Sequence, residues 1–293
     1  MRYQIMMDSC GDLSEKMKEC REVVSIPLRI RIGNGELTDD ETLDCREMLK
    51  KMSMESGMIG SSCPSPSQFI EKRDREAEHI YILTGSSVLT GSYTSARLAA
   101  QIMRAEAAEE KCSQRICVID SKSASAGQTL LATHIMQWER EGVEYPEIKN
   151  RVKWMIRNMQ TRFVLESVEM LEKSGRLTGL KAKIADALNI CPVLRSNGEG
   201  AISQCGQGRG IKRALGVFEK QIIKGLSDGI CGPLIISHCQ CPERAFALKI
   251  AIHEKYPDVA VRIVATKGIS SMYAGKGGIV AAYAVGSGNW WQN

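Results

Sequence analysis

Short apolar runs recur along the chain, separated by stretches whose apolar residues return at helical spacing. Gln4–Met7, Ile26–Ile32, Ile80–Leu83, Ile116–Ile119, Leu234–Ser237, Val261–Val264 and Ile279–Tyr283 predict strands. Runs that are apolar at nearly every position, without alternation, belong to strands covered on both faces, so the pattern predicts parallel sheets flanked by helices. Helix starts are marked too. Asp44 with Glu47 opens a helix over Cys45–Met52, and Ser65 with Pro66 and Gln68 forms a capping box with proline in the first turn. Pro242-Glu243 opens another, with Ala245, Leu248, Ile250 and Ile252 along it. The fold class is α/β.

The alternation is regular up to a helix predicted over Tyr145–Gln160, which reads as a hinge element. Beyond it come a short helix over Val168–Lys173, a turn at Ser174-Gly175-Arg176 and a glycine-rich, hairpin-like region from Asn197 to Gly210. This divides the chain into an N-terminal domain over 1–160 and a C-terminal domain over 161–293. With 293 residues there is room for two compact units.

Composition narrows the function classes. Hydrophobic residues at 43% and charged residues at 25% exclude a disordered or fibrous chain. The net charge of +5 is spread along the chain, and no Lys/Arg block exceeds a pair such as Lys50-Lys51, so the footprint of nucleic-acid binding is missing. Gly277–Gly286 is the longest uncharged apolar stretch and is too short to span a bilayer. Met1-Arg2-Tyr3-Gln4 runs into a strand instead of a signal-peptide core, which predicts a soluble cytoplasmic protein. The 11 cysteines, odd in number and without a Cys-x-x-Cys, predict reduced and mostly buried thiols. His238-Cys239-Gln240-Cys241 lacks a second ligand pair and reads as a buried strand end, not a metal site. Aromatics at 5% beside 14 methionines predict an aliphatic, thioether-lined, pliable interior.

Candidate chemistry lies in loops rich in small polar residues. Asp8-Ser9-Cys10-Gly11-Asp12, Ser61-Ser62-Cys63-Pro64-Ser65, Thr84 to Ser92 and Asp120-Ser121-Lys122-Ser123 each follow an apolar strand and precede a helix. Ligands of open α/β sheets bind at the carboxyl ends of strands, where helix N-termini suit an anion and Ser or Thr adds neutral donors. Four such loops on one side of one sheet would make a site for a small carboxylate or phosphate. Catalytic motifs are weak by comparison. Gly85-Ser86-Ser87-Val88-Leu89 misses the nucleophile elbow, because position 89 is Leu. Gly206-Gln207-Gly208-Arg209-Gly210 lacks the third glycine of a dinucleotide fingerprint, and no Walker lysine pattern is present. His79, His134 and His253 read as surface residues.

Several strings together resemble the DegV family. Asp8-Ser9-Cys10-Gly11-Asp12-Leu13, Ile26-Pro27-Leu28, Ser61-Ser62-Cys63-Pro64-Ser65-Pro66, Leu89-Thr90-Gly91-Ser92-Tyr93-Thr94-Ser95-Ala96 and Val118-Ile119-Asp120-Ser121 are similar to its successive blocks. The most specific stretch is Leu171-Glu172-Lys173-Ser174-Gly175-Arg176-Leu177-Thr178 followed by Leu188-Asn189-Ile190-Cys191-Pro192-Val193-Leu194. The resemblance runs in order from about residue 5 to residue 286.

That resemblance implies a Rossmann-like N-terminal domain and a C-terminal α/β domain enclosing one long-chain fatty acid, which the protein presents to a separate fatty acid kinase. It implies a binding protein with no ATP site or cofactor of its own. The carboxylate would be held by the hydroxyls of Ser61 and Thr90, with Ser62, Gly91 and Ser92 beside them. Two positions depart from the family pattern. Tyr273 stands where a histidine is usual in the closing block, and Cys191 where a lysine is usual. Arg176, Arg209, Lys212 and Arg213 are candidates for docking a partner. The alternative is a hydrolase or transferase acting on a small carboxylate or phosphate ester, with Ser61 or Thr90 as nucleophile and Asp8, Asp120 or Tyr273 as base.

Overall fold

The structure, a computed structural model, describes residues 2–110, 112–177 and 189–286. In chain order the first half carries β1 (Tyr3–Asp8), α1 (Glu15–Lys18), β2 (Val23–Ile26), β3 (Arg29–Ile32), β4 (Gly35–Thr38), α2 (Cys45–Met54), β5 (Ile59–Ser62), α3 (Pro66–Glu71), β6 (His79–Thr84), α4 (Ser92–Glu109), β7 (Arg115–Asp120), α5 (Ala126–Arg140) and α6 (Tyr145–Asn158). The second half carries β8 (Met159–Val164), α7 (Glu169–Lys173), β9 (Ile190–Ser196), β10 (Ile202–Arg209), α8 (Ile211–Leu226), β11 (Ile230–His238), α9 (Pro242–Lys255), β12 (Val261–Ala265), α10 (Gly268–Ala274) and β13 (Ile279–Val285). Thr178 and Leu188 of the quoted motif lie outside the described residues.

The first sheet is parallel, in the order β2-β1-β6-β7. Every residue of β1 and of β6 is buried, because helices cover both faces, and this is why their sequences are apolar throughout. The expected strand Ile26–Ile32 is two strands. Pro27 has no N–H to give a ladder, so the chain leaves β1 at Ile26 and re-enters as β3 in a separate antiparallel sheet, β4-β3-β5.

The second half forms a sheet in the order β10-β9-β8-β13-β11-β12. Only the β11–β12 pairing is parallel, so the expectation of parallel sheets fails here. Short reversals such as the turn between β9 and β10 allow antiparallel neighbours without a crossover helix. The predicted helix Tyr145–Gln160 ends at Asn158, since Met159 and Gln160 already pair with β13 as the start of β8.

Helix α5 joins the two halves. Its buried positions run from Ala126 to Trp138, and it packs against β1 and β6 on one side and β8, β11 and β13 on the other. One continuous apolar cluster therefore reaches from Ile5 and Tyr81, through Leu130 and Ile135, to Ile235 and Ala282. Two expectations about side chains are corrected. His79 is 3% exposed and His134 is 4% exposed, so neither is a surface residue. His79 begins β6, where its Nδ1 lies 2.8 Å from Oε1 of the buried Glu139. None of the thiols is in a disulfide, but only Cys10, Cys231, Cys239 and Cys241 are buried, while Cys63 and Cys112 are exposed.

Candidate functional site

Three hydroxyl loops stand at the carboxyl ends of β1, β6 and β7, as the parallel sheet requires. The fourth, Ser61–Ser65, does not belong to that sheet: it begins within β5 of the small antiparallel sheet and runs on past its end. The buried carboxylate of Asp8 ties the first two loops together, accepting from Gly85 N at 3.0 Å and from Gln128 Nε2 at 2.8 Å. Leu28 N donates to Ser9 Oγ at 2.9 Å, which pins the break between β2 and β3 against the same loop. Each bond replaces water lost to a buried polar group, so the loops are held in one arrangement.

Between these loops and the second sheet lies a cavity whose empty space, counted together with the solvent at its mouth, is about 950 Å³. Leu28, Leu165, Leu171, Ile202, Ile269 and Val280 supply much of its apolar wall, and Phe163 adds a ring. No methionine among the described residues lines it, and Cys10 is its one sulfur. The sulfur-rich interior is thus packed elsewhere, with Met6, Met7 and Met17 buried under the first sheet's helices.

Polar groups line this wall as well. The Oγ of Ser61 lies 3.1 Å from the phenol oxygen of Tyr273, joining β5 to α10. Thr90, in the loop before α4, also lines the cavity, and its Oγ1 lies 3.1 Å from Oγ of Ser92. Ser92 is fully buried behind Thr90, and its N–H donates to Thr90 Oγ1 at 3.3 Å. Gly91 caps α4, while Ser62 and Gly91 are exposed and outside the lining. Of the predicted residues, then, Ser61, Thr90 and Tyr273 line the cavity, Ser92 supports Thr90, and Ser62 and Gly91 do not line it.

Arg176 is placed differently from the expectation of a docking residue. It lines the cavity, with its guanidinium 5.8 Å from the ring centroid of Tyr273. Its Nε donates to Leu89 O at 3.2 Å and its Nη1 to Ser174 O at 2.7 Å. Gly175, with a φ of +73°, makes the tight turn that sends the next side chain inward. Arg209, Lys212 and Arg213 are exposed at the end of β10 and the start of α8, outside the lining. Cys191 is half-buried at the start of β9.

The candidate bases are spoken for. Asp8 is used by backbone and Gln128 donors, and burial raises its pKa. Partial burial opposes ionisation of Asp120, but bonds from Ser87 and Lys122 hold its carboxyl below the ordinary range. Neither carboxylate lines the cavity. The cluster at His238 has Cys241 N donating to His238 Nδ1 at 3.3 Å, and the described residues contain no group of three or more His, Cys, Asp or Glu placed to hold a metal ion.

Sequence reasoning missed Asp39 and the role of Asp12. Both carboxylates are fully buried at the start of α10, accepting backbone N–H bonds from Lys267, Gly268 and Ile269. No local signal marks them, because donor and acceptor lie more than 200 positions apart.

A profile of uncharacterised proteins of the DegV family matches residues 2–284. The chain belongs to the DegV family. A DegV domain-containing protein of Streptococcus pyogenes serotype M1 is 31% identical over 287 residues, covering 97% of this chain and all of that one. Among solved structures, a DegV-family protein of Ruminococcus gnavus refined with vaccenic acid is similar with a TM-score of 0.88 at 36% identity, covering 96% of this chain and 99% of its own. The Streptococcus pneumoniae fatty acid kinase B3 protein, loaded with linoleic acid, is similar with a TM-score of 0.88 at 26% identity, covering 98% of this chain and all of its own. The two-domain α/β architecture of this DegV chain is the one these structures share.

Proposed function

We propose that this DegV chain binds a long-chain fatty acid, with the carboxylate at Ser61, Thr90 and Tyr273 and the acyl tail along the apolar wall. The observation that carries this reading is the meeting of Ser61 and Tyr273 hydroxyls, 3.1 Å apart, on the wall of a cavity that Leu28, Leu165, Leu171, Ile202, Ile269 and Val280 also line. The physics agrees. Burying some fourteen methylenes at about 0.8 kcal/mol each gives a gross ~11 kcal/mol, so the tail supplies affinity. The head group then needs orientation, which neutral hydroxyls give without the desolvation that opposes burying an unpaired charge. Arg176, already occupied by two carbonyls and the Tyr273 ring, sets the position of that ring.

The protein is read as a carrier, not an enzyme, that hands its acid to a fatty acid kinase; support comes from the pneumococcal relative named for such a kinase. Arg209, Lys212 and Arg213, exposed and outside the cavity, are the candidate docking charges for that partner. We place the division between domains near residue 160, where the chain passes from α6 into the second sheet. A reducing cytoplasm suits a chain whose cysteines form no disulfide, and no described helix is long and apolar enough to cross a membrane.

Extraction of the denatured protein followed by mass spectrometry tests the central point. A stoichiometric long-chain fatty acid is expected. Protein that emerges free of lipid and also refuses added palmitate would overturn the reading.

A further inference from the structure

The helix that carries Tyr273 begins on carboxylates from the other half of the chain. Lys267 N donates to Asp12 Oδ1 at 2.9 Å, Gly268 N to Asp39 Oδ1 at 2.8 Å, and Ile269 N to Asp39 Oδ2 at 2.8 Å. The first N–H groups of a helix have no partner within it, and that end carries partial positive charge, so an ionised carboxylate fits there. The fit is close. A Cβ added to Gly268 would lie 2.5 Å from Asp39 Oδ1 and 2.4 Å from Leu43 Cδ2, so only glycine lets the helix approach this far. Because α10 spans only Gly268–Ala274, its first N–H groups and Tyr273 belong to one short helix.

Asp39 is itself fixed at the cavity. Its N–H donates to Leu28 O at 2.9 Å, and Leu28 lines the cavity wall. The same α10 places Ser270 Oγ 3.2 Å from Cys10 O, a further bond across the halves.

We infer that Asp39 is a positioning residue for Tyr273, holding α10 so that the phenol meets the ligand carboxylate, and that it does this in its ionised form. The inference rests on the reading of Tyr273 as a head-group donor. An ionised carboxylate accepts on both oxygens, as Gly268 and Ile269 require; a protonated one must turn a donor toward one of these N–H groups. Burial pushes Asp39 up to about 6, against the bonds from Ile269, Ser9 and Gly268 and the charge of Lys267. Facing it are Lys267 at the start of α10, Asp12 and Cys10 from the loop after β1, and Cys45 from α2. Asp40 is adjacent, and its carbonyl accepts from Lys267 Nζ at 2.5 Å. Burial raises both thiols, which keeps them neutral near pH 6, and raises Asp12 as well, so the variant must isolate Asp39.

The test is palmitate affinity by calorimetry for the full chain, Asp39→Asn, Tyr273→Phe and the double variant. At about pH 8, Asp39→Asn should weaken binding roughly fivefold, the usual size of a helix-cap contribution. The loss should vanish in the Tyr273→Phe background, and the parent should converge on the Asp39→Asn affinity at about pH 5. Should Asp39→Asn fail to fold, Gly268→Ala displaces the same carboxylate from the other side and should show the same dependence on Tyr273. An equal loss with and without the phenol, or no loss at all, overturns the positioning role while leaving the head-group site intact. Tyr273→Phe that binds as the parent does removes the head-group reading and this inference with it.

Discussion

The phenol oxygen of Tyr273 stands 3.1 Å from Oγ of Ser61, although 212 positions separate the two residues. One lies near the end of a seven-residue helix, the other in an edge strand of a small antiparallel sheet. Their meeting on the cavity wall sets the first prediction. Ser61→Ala combined with Thr90→Ala should weaken fatty-acid binding by about 3 kcal/mol, taking each donor at the low end for bonds to a charged group. Displacement of a fluorescent fatty acid measures it. Undiminished affinity in the double variant would move the carboxylate elsewhere in the cavity.

Arg176 joins three features at once: Leu89 O, Ser174 O and the Tyr273 ring. Lysine keeps the charge but lacks the planar fork that bonds two carbonyls while lying over a ring. Arg176→Lys should therefore release bound fatty acid about tenfold faster, a change of roughly 1.4 kcal/mol. Stopped-flow exchange against excess competitor reads the rate. An unaltered rate would mean that the cavity wall does not depend on this fork.

Gly225 in α8 touches Tyr283 so closely that an added Cβ would lie 2.0 Å from the phenol oxygen. Gly225→Ala should cost about 1–3 kcal/mol in urea unfolding, the range for overpacking a core. The same substitution should cost less in a Tyr283→Phe background, where the oxygen is gone. Equal costs in both backgrounds would place the strain somewhere other than this contact.

His134 brings a pH dependence of known sign. Burial, with the charge of Arg262 adding to it, lowers the His134 pKa from 6.5 to about 4, and its Nε2 has no hydrogen-bond partner. Between those values the unfolded chain holds the extra proton, so this contribution is complete above pH 6.5 and is lost as pH falls toward 4. Asp39, raised in the folded state, works in the opposite direction over the same range. The difference between the parent and His134→Leu therefore isolates the histidine. The parent should lose about 2 kcal/mol more than the variant between pH 7 and 5. Parallel pH profiles would contradict a buried neutral imidazole.

The elements that were legible share one property: their signal is local. All-apolar runs such as Ile80–Leu83 reported strands buried on both faces, and Ser65-Pro66 with Gln68 reported the start of α3, whose capping box is present. Tyr273, Ser61 and Thr90 were legible through motif strings, and all three line the cavity. What escaped depended on distant partners. Met159 and Gln160 read as a helix end until β13 is available to pair with them. His134 reads as a surface residue until the second sheet arrives against α5 and buries it.

The amino-acid sequence alone determined the α/β class, the apolar strands, the capped helix starts and the hydroxyl loops, because propensity, capping and burial period act over a few neighbouring residues. The tertiary structure decided which loops share a cavity, that Arg176 turns into its wall, that leucine and isoleucine rather than methionine line it, and that Asp39 grips the helix of Tyr273. Those outcomes depend on hydrogen bonds and contacts between residues far apart in the chain. Such bonds have no sequence period and exist only once both sheets have closed on α5.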